Sequence, residues 1–235
     1  MWIVMLLINR DYRFKLLTVC SCLLFYACAP GPADSTISTQ TAAVKTYVYL
    51  CEGEDKSIVV TLNGDRGHLF SYQLSQALVR APEKNAYSGS EVYYRPDNLP
   101  DLAPGQSAEI MIRGVRYENC SNNPRAAVWE AAKLRGVDYR ALGQEPPWQL
   151  EISTGKGFLL VTEYGANRVE FPYAEPEINQ AQRTTRYTSR LHGKRIDITI
   201  KGEKCNDSMS GETFSSRVEL GWQGKTLLGC GRALH

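Results

Sequence analysis

The chain has 235 residues, with 27 Lys and Arg against 25 Asp and Glu and a formal net charge of +2. That balance, with no clustered basic stripe, excludes a nucleic-acid binder of the usual electrostatic kind. The seven cysteines are an odd number, which in an exported protein requires an explanation.

The explanation begins near the N-terminus. Met1 to Asn9 opens with an apolar run, as expected of a start placed upstream of the functional one. Arg10, Arg13 and Lys15 then precede the largely apolar segment Leu16 to Ala27 and Cys28. This segment is shorter than the ~20 apolar residues that cross a bilayer, and its layout is that of a bacterial lipoprotein export signal. Cleavage before Cys28 and attachment of lipid to its sulfur are expected; an ordinary signal peptide with Cys28 incidental is the alternative. Removing residues 1–27 takes away Arg10, Arg13, Lys15 and Asp11, which leaves 24 charges of each sign. Membrane attachment therefore rests on palmitate and the other acyl chains rather than on basic residues. Ala29 after Cys28 resembles the sorting pattern for the outer membrane, facing the periplasm.

Residues 28–45 comprise the lipidated Cys28 and a small, polar, Pro-containing tether; as a flexible coil, its 17 residues 29–45 span about 20–25 Å. Removal of Cys20 and Cys22 and lipidation of Cys28 leave Cys51, Cys120, Cys205 and Cys230. Four cysteines allow three connectivities. The local one, 51 with 120 and 205 with 230, places one bridge in each half and leaves no thiol over, and an oxidising periplasm would preserve it.

The mature chain is expected to be mainly β: a small antiparallel β-barrel over 46–121, a connecting helix over 122–136 and a second antiparallel β domain over 137–235. Strands are predicted at 47–51, 57–62 and 68–74, with Asn63-Gly64 as a hairpin signal between the last two. Further strands are expected at 91–95, 108–113 and 115–120. Pro96 to Gly105, with three prolines, reads as loop. The helix carries its own punctuation: Asn123 at the N-cap, Pro124 at the first helical position and Gly136 after the end. Ala127, Val128, Ala131 and Leu134 are predicted to form its buried face, with Glu130 and Lys133 paired outside. Seven more strands are expected, at 148–152, 157–162, 168–171, 184–188, 196–200, 217–220 and 226–230, with Gly193, Gly221 and Gly224 at turns.

Enzyme chemistry finds little support. His68, His192 and His235 fall at a strand start, a turn and the last position. Ser153-Thr-Gly-Lys156 matches a nucleophile pattern, but it joins two strands where that chemistry needs a helix start. Cys205-Asn-Asp207 fits no common zinc spacing and reads as half of a bridge, with Asp207, Glu212 and the residues between them as a tight turn. No cofactor, metal or catalytic residue is expected. Tyr87, Tyr93 and Tyr94, with Arg95, form either a protein-binding surface or ordinary strand composition.

Tyr49-Leu-Cys51 at the start of the first half and Tyr117-Glu-Asn-Cys120 at its end resemble the C-type lysozyme inhibitor domain of bacterial lipoproteins over about residues 46–121. The resemblance implies a small β-barrel whose terminal cysteines are bridged, loops that enter a lysozyme cleft, and a c-type lysozyme as protein partner. Its first inhibitory loop aligns with Glu83, Lys84 and Tyr87, where the family's Ser is replaced by Glu83. Its second aligns with Tyr94 and Arg95, where Arg95 stands for the family's Lys and would meet the carboxylates of a lysozyme. These five residues are the lysozyme-binding candidates. The second half, through Gly143 to Trp148, Cys205 to Gly211 and Gly229 to Gly231, resembles an uncharacterised exported bacterial domain and implies no activity.

Overall fold

The computed structural model describes residues 43–53, 56–83, 85–98 and 105–235. Cys28, the export signal and nearly all of the tether lie outside them. The described residues form two curled antiparallel half-barrel sheets with a single α-helix between them.

The first sheet runs through β1 (Lys45–Leu50), β2 (Ile58–Asn63), β3 (Arg66–Phe70), β4 (Ser75–Arg80), β5 (Tyr87–Ser88), β6 (Val92–Pro96), β7 (Ala108–Ile112), β8 (Val115–Tyr117) and β9 (Ser121–Asn122). Strands β1 to β8 pair in sequence order, and β9 returns to pair with the outer side of β1. The curl brings the segment before β7 against β9: Gly105 N–H donates to Asn122 O at 3.0 Å, and Asn122 N–H donates to Gln106 O at 2.9 Å. Cys51 follows β1, Cys120 precedes β9, and the two are bridged across this seam. Gly64, at φ 62°, makes the β2–β3 turn with Asp65, one residue on from the predicted Asn63-Gly64, because the left-handed backbone required there carries no penalty for glycine. Inside the curl, Tyr49, Val60, Leu69, Leu78, Tyr94 and Ile110 are fully buried.

Helix α1 spans Pro124–Leu134. Asn123 caps it, its side chain accepting from Ala126 N–H at 3.1 Å, and Gly136 turns the chain out at φ 80°. The buried helical residues are Ala127, Trp129 and Ala132. Val128 and Leu134, expected inside, are about half exposed, and no ion pair joins Glu130 to Lys133. The predicted single face is wrong because the helix is covered from two sides. Ala126 and Ala127 pack on Val48, Val59 and Phe70, outward-facing residues of the first sheet. Trp129 packs on the second sheet with Leu142, Phe214 and Leu234.

The second sheet comprises β10 (Tyr139–Gln144), β11 (Pro147–Ser153), β12 (Gly157–Thr162), β13 (Asn167–Pro172), β14 (Glu177–Asn179), β15 (Thr184–Leu191) and β16 (Lys194–Lys201). A separate small hairpin, β17 (Cys205–Asn206) with β18 (Thr213–Phe214), intervenes before β19 (Ser216–Trp222) and β20 (Lys225–Ala233). The order is β13-β12-β11-β10-β20-β19-β16-β15-β14, so the last strand inserts beside the first. Trp148, Leu150, Phe158, Ile196, Ile198 and Leu220 point into its core. Ile196, Ile198 and Ile200 alternate with polar neighbours, as a half-buried strand requires. Ser153 to Gly157 is a hairpin turn, as the flanking strands predicted. Gly221 is not a turn residue: it lies inside β19, where a Cβ would crowd Asp197 at 3.2 Å. The Cys205–Cys230 bridge ties the small hairpin to β20.

Candidate functional site

Strand alternation decides the fate of the lysozyme-binding candidates. The β5–β6 register pairs Tyr87 with Tyr94 on one face. That face is the core: Tyr87 is 2% exposed and Tyr94 0%. The Tyr94 hydroxyl hydrogen-bonds that of Tyr49 at 2.7 Å, and Tyr87 donates to Gly64 O at 2.9 Å. Burial pushes the Tyr49 and Tyr94 hydroxyls well above the ordinary phenol range. Neither ring is available to a partner, which corrects the sequence expectation for both. Because successive side chains in a strand alternate, Tyr93 and Arg95 face outward instead.

Glu83 is exposed in the turn that joins β4 to β5, closed by Ala81 N–H donating to Ala86 O at 2.9 Å. Lys84, beside it, lies outside the described residues. Arg95 is exposed on the outer wall and donates to Glu109 at 2.7 Å; Glu109 also meets Arg116 at 2.7 Å. The register places the β4–β5 turn, the Gly64-Asp65 turn and the end of β6 at one rim of the sheet. An exposed Asp65–Arg80 pair completes that rim.

A different constellation occupies the outer face of the second sheet, where helix α1 and the β17–β18 hairpin roof over β10, β11 and β20. Side chains of β10 alternate, so Tyr139, Ala141 and Gly143 face inward while Arg140, Leu142 and Gln144 face this roof. Between roof and sheet lies a cleft of about 360 Å³. Trp129 and Phe214 form its aromatic wall, with ring centroids 5.3 Å apart. Arg140, only 3% exposed, lies at its base. Its register partner on β20 is Arg232, and both guanidinium groups lie over the Trp129 ring, at 4.9 and 4.3 Å. Burial lowers the pKa of Arg140, and Arg135 and Arg232 add to that, against the opposing pull of Glu151.

Asp207 holds the loop between β17 and β18. It accepts from Ser210 N–H at 3.0 Å and from Ser210 Oγ at 2.5 Å, with a longer contact to Gln144 at 3.4 Å. Burial alone would raise its carboxyl; those donors outweigh it and leave the carboxyl below the usual range. The sequence-predicted tight turn beside the bridge is therefore present. His68, stacked on Phe70, hydrogen-bonds Ser75 at 2.8 Å, and His192 sits in a turn at φ 46°. No group of three metal-ligating side chains occurs among the described residues.

Sequence reasoning missed the cleft. Its signal was the buried Arg140, and an Arg inside Tyr-Arg-Ala-Leu-Gly-Gln does not announce burial. Searches of family models, of curated proteins and of solved structures found no match to the chain.

Proposed function

We propose that the chain is an exported lipoprotein, anchored through Cys28 to the outer membrane and facing the periplasm, which acts by binding a protein partner rather than by catalysis. The partner to test first is a c-type lysozyme. The observation that carries this reading is the closed first sheet, bridged at its ends by Cys51–Cys120, with Glu83 and Arg95 exposed at or beside one rim. This arrangement accords with the frame that the terminal Tyr-x-Cys and Tyr-x-x-Cys motifs imply. Two formed disulfides also suit an oxidising compartment. In this reading the rim approaches the carboxylate-lined cleft of the lysozyme, and Arg95 exchanges Glu109 for a carboxylate of the partner. Glu109 retains Arg116, so the exchange leaves no acid uncompensated.

Lysozyme activity measured with the purified chain tests the proposal. Inhibition at micromolar protein, weakened by Arg95→Ala, is the expected result. Absence of inhibition, with the β circular dichroism spectrum intact, rejects it. Palmitate labelling that is lost in Cys28→Ser tests the anchor separately. A second reading, a binding or envelope-maintenance lipoprotein without inhibitory action, is favoured by one observation: Tyr87 and Tyr94, two of the five residues aligned with the inhibitory loops, are sealed in the core.

A further inference from the structure

The cleft over the second sheet is unusual in how its charges are compensated. Arg140 and Arg232 stand directly opposite on neighbouring strands. Like charges in that position destabilise a sheet. Arg232 is matched by Glu212 at 3.1 Å. Arg140 is not matched as well. Among the described residues its single carboxylate contact is Glu151 at 3.4 Å, and Glu151 already accepts from Arg135 at 2.8 and 2.9 Å. The short hydrogen bond of Arg140 goes to a neutral acceptor, Gln149, at 2.6 Å. The cleft's own acids do not correct this, since Glu212 is held by Arg232 and Asp207 by Ser210. At the mouth of the cleft, Arg125 adds a further exposed cation.

A buried guanidinium shared over too little negative charge is costly, and it is the group best suited to a planar carboxylate. Next to it the cleft is apolar and flat-sided, with Trp129 and Phe214 on the wall and the exposed Val128 and Met209 at the mouth. Exposed apolar side chains rimming a polar base are typical of a ligand site, and the volume falls within the ~300–1,000 Å³ common for small molecules. We propose that this cleft binds a small carboxylate with a flat apolar body, the carboxylate directed at Arg140 and the body lying along Trp129 and Phe214. The site is independent of lysozyme binding: it uses neither Glu83 nor Arg95, and a negative inhibition assay leaves it standing.

The test is calorimetric titration of the purified chain with naphthoate, which carries both features, and with neutral naphthamide. Saturable one-to-one binding of naphthoate is expected, with the amide at least about tenfold weaker. Met209→Asp places an acid at the exposed mouth without touching the core, and it should weaken naphthoate by at least about tenfold. Arg140→Lys keeps the charge but loses the fork, and a similar loss is expected wherever that variant folds; Met209→Asp carries the test if it does not. No saturable heat from naphthoate, equal affinity for the amide, or unchanged affinity in Met209→Asp would each overturn the proposal.

Discussion

The two half-barrels reach similar sheets by different means. The first closes on itself, and its disulfide joins the residue after β1 to the residue before β9, a sequence separation of 69. Its core includes tyrosines whose hydroxyls find partners inside. The second places its disulfide in a separate buried cluster with Trp129 and Phe214, where a separation of 25 pins the hairpin that roofs the outer face of the sheet. Its interior is aliphatic and indole-rich, and its charged groups lie on the outside, under the helix. The first bridge therefore acts as a clasp on the fold, whereas the second holds a surface feature in place.

Removing the bridges should separate these roles most strongly. On the chain-entropy model the double change Cys51→Ser with Cys120→Ser costs about 4 kcal/mol, and Cys205→Ser with Cys230→Ser costs about 3 kcal/mol. Urea denaturation followed by circular dichroism measures both. A reversed order would show that the outer hairpin, and not the seam, controls the fold.

Next in size are the tyrosines. Tyr94→Phe leaves the Tyr49 hydroxyl buried without its partner, at a cost of about 1–3 kcal/mol. In the second sheet the Tyr139 hydroxyl meets Ser216 Oγ, which itself donates to Gly231 O at 2.7 Å. Tyr139→Phe leaves Ser216 with that acceptor, so its cost should be smaller. Alkali tests the same contrast. Burial raises Tyr49 and Tyr94 strongly and pushes Tyr139 up to about 12, while unfolded tyrosines ionise near pH ~10. Above that pH the unfolded chain holds fewer of these protons than the folded one, so stability is full below it and falls as pH rises toward the folded values. Each substitution removes one such group, so urea midpoints across this range should decline less steeply in Tyr94→Phe, and in Tyr139→Phe, than in the unaltered chain.

The smallest effect is expected at the shared helix. Asn123→Ala removes the cap on Ala126 N–H and should cost about 1 kcal/mol. Since α1 touches both sheets, the loss should appear in a single transition. Two separated transitions would show that the halves unfold independently.

The sequence was legible where local chemistry decides the outcome. Gly64 and Gly193 made their turns, the β-branched alternation of Ile196 to Ile200 made its strand, and Asn123, Pro124 and Gly136 bounded the helix. It was less legible where context decides. Strand β4, Ser75–Arg80, buries only Leu78 and leaves Val79 exposed, so no period of two stands out. Strand β10 includes Arg140, Ala141 and Gly143, none of them a strong strand former, and owes its place to pairing with β11 and β20. Pro96 ends β6 rather than beginning the loop. The candidate loops failed at Tyr87 and Tyr94 for a related reason. Motif alignment assigns a residue its position along the chain, while the pleat assigns it a face, and adjacent Tyr93 and Tyr94 take opposite ones.

Helix α1 has a bearing on how such a chain is inherited. Its eleven residues shield an aliphatic patch of one sheet and an indole-lined patch of the other. A recombination breakpoint on either side of Pro124–Leu134 would strip one sheet of that cover and strand Val48 and Phe70, or Leu142 and Phe214, in solvent. A piece running from β1 to β20 keeps both patches covered.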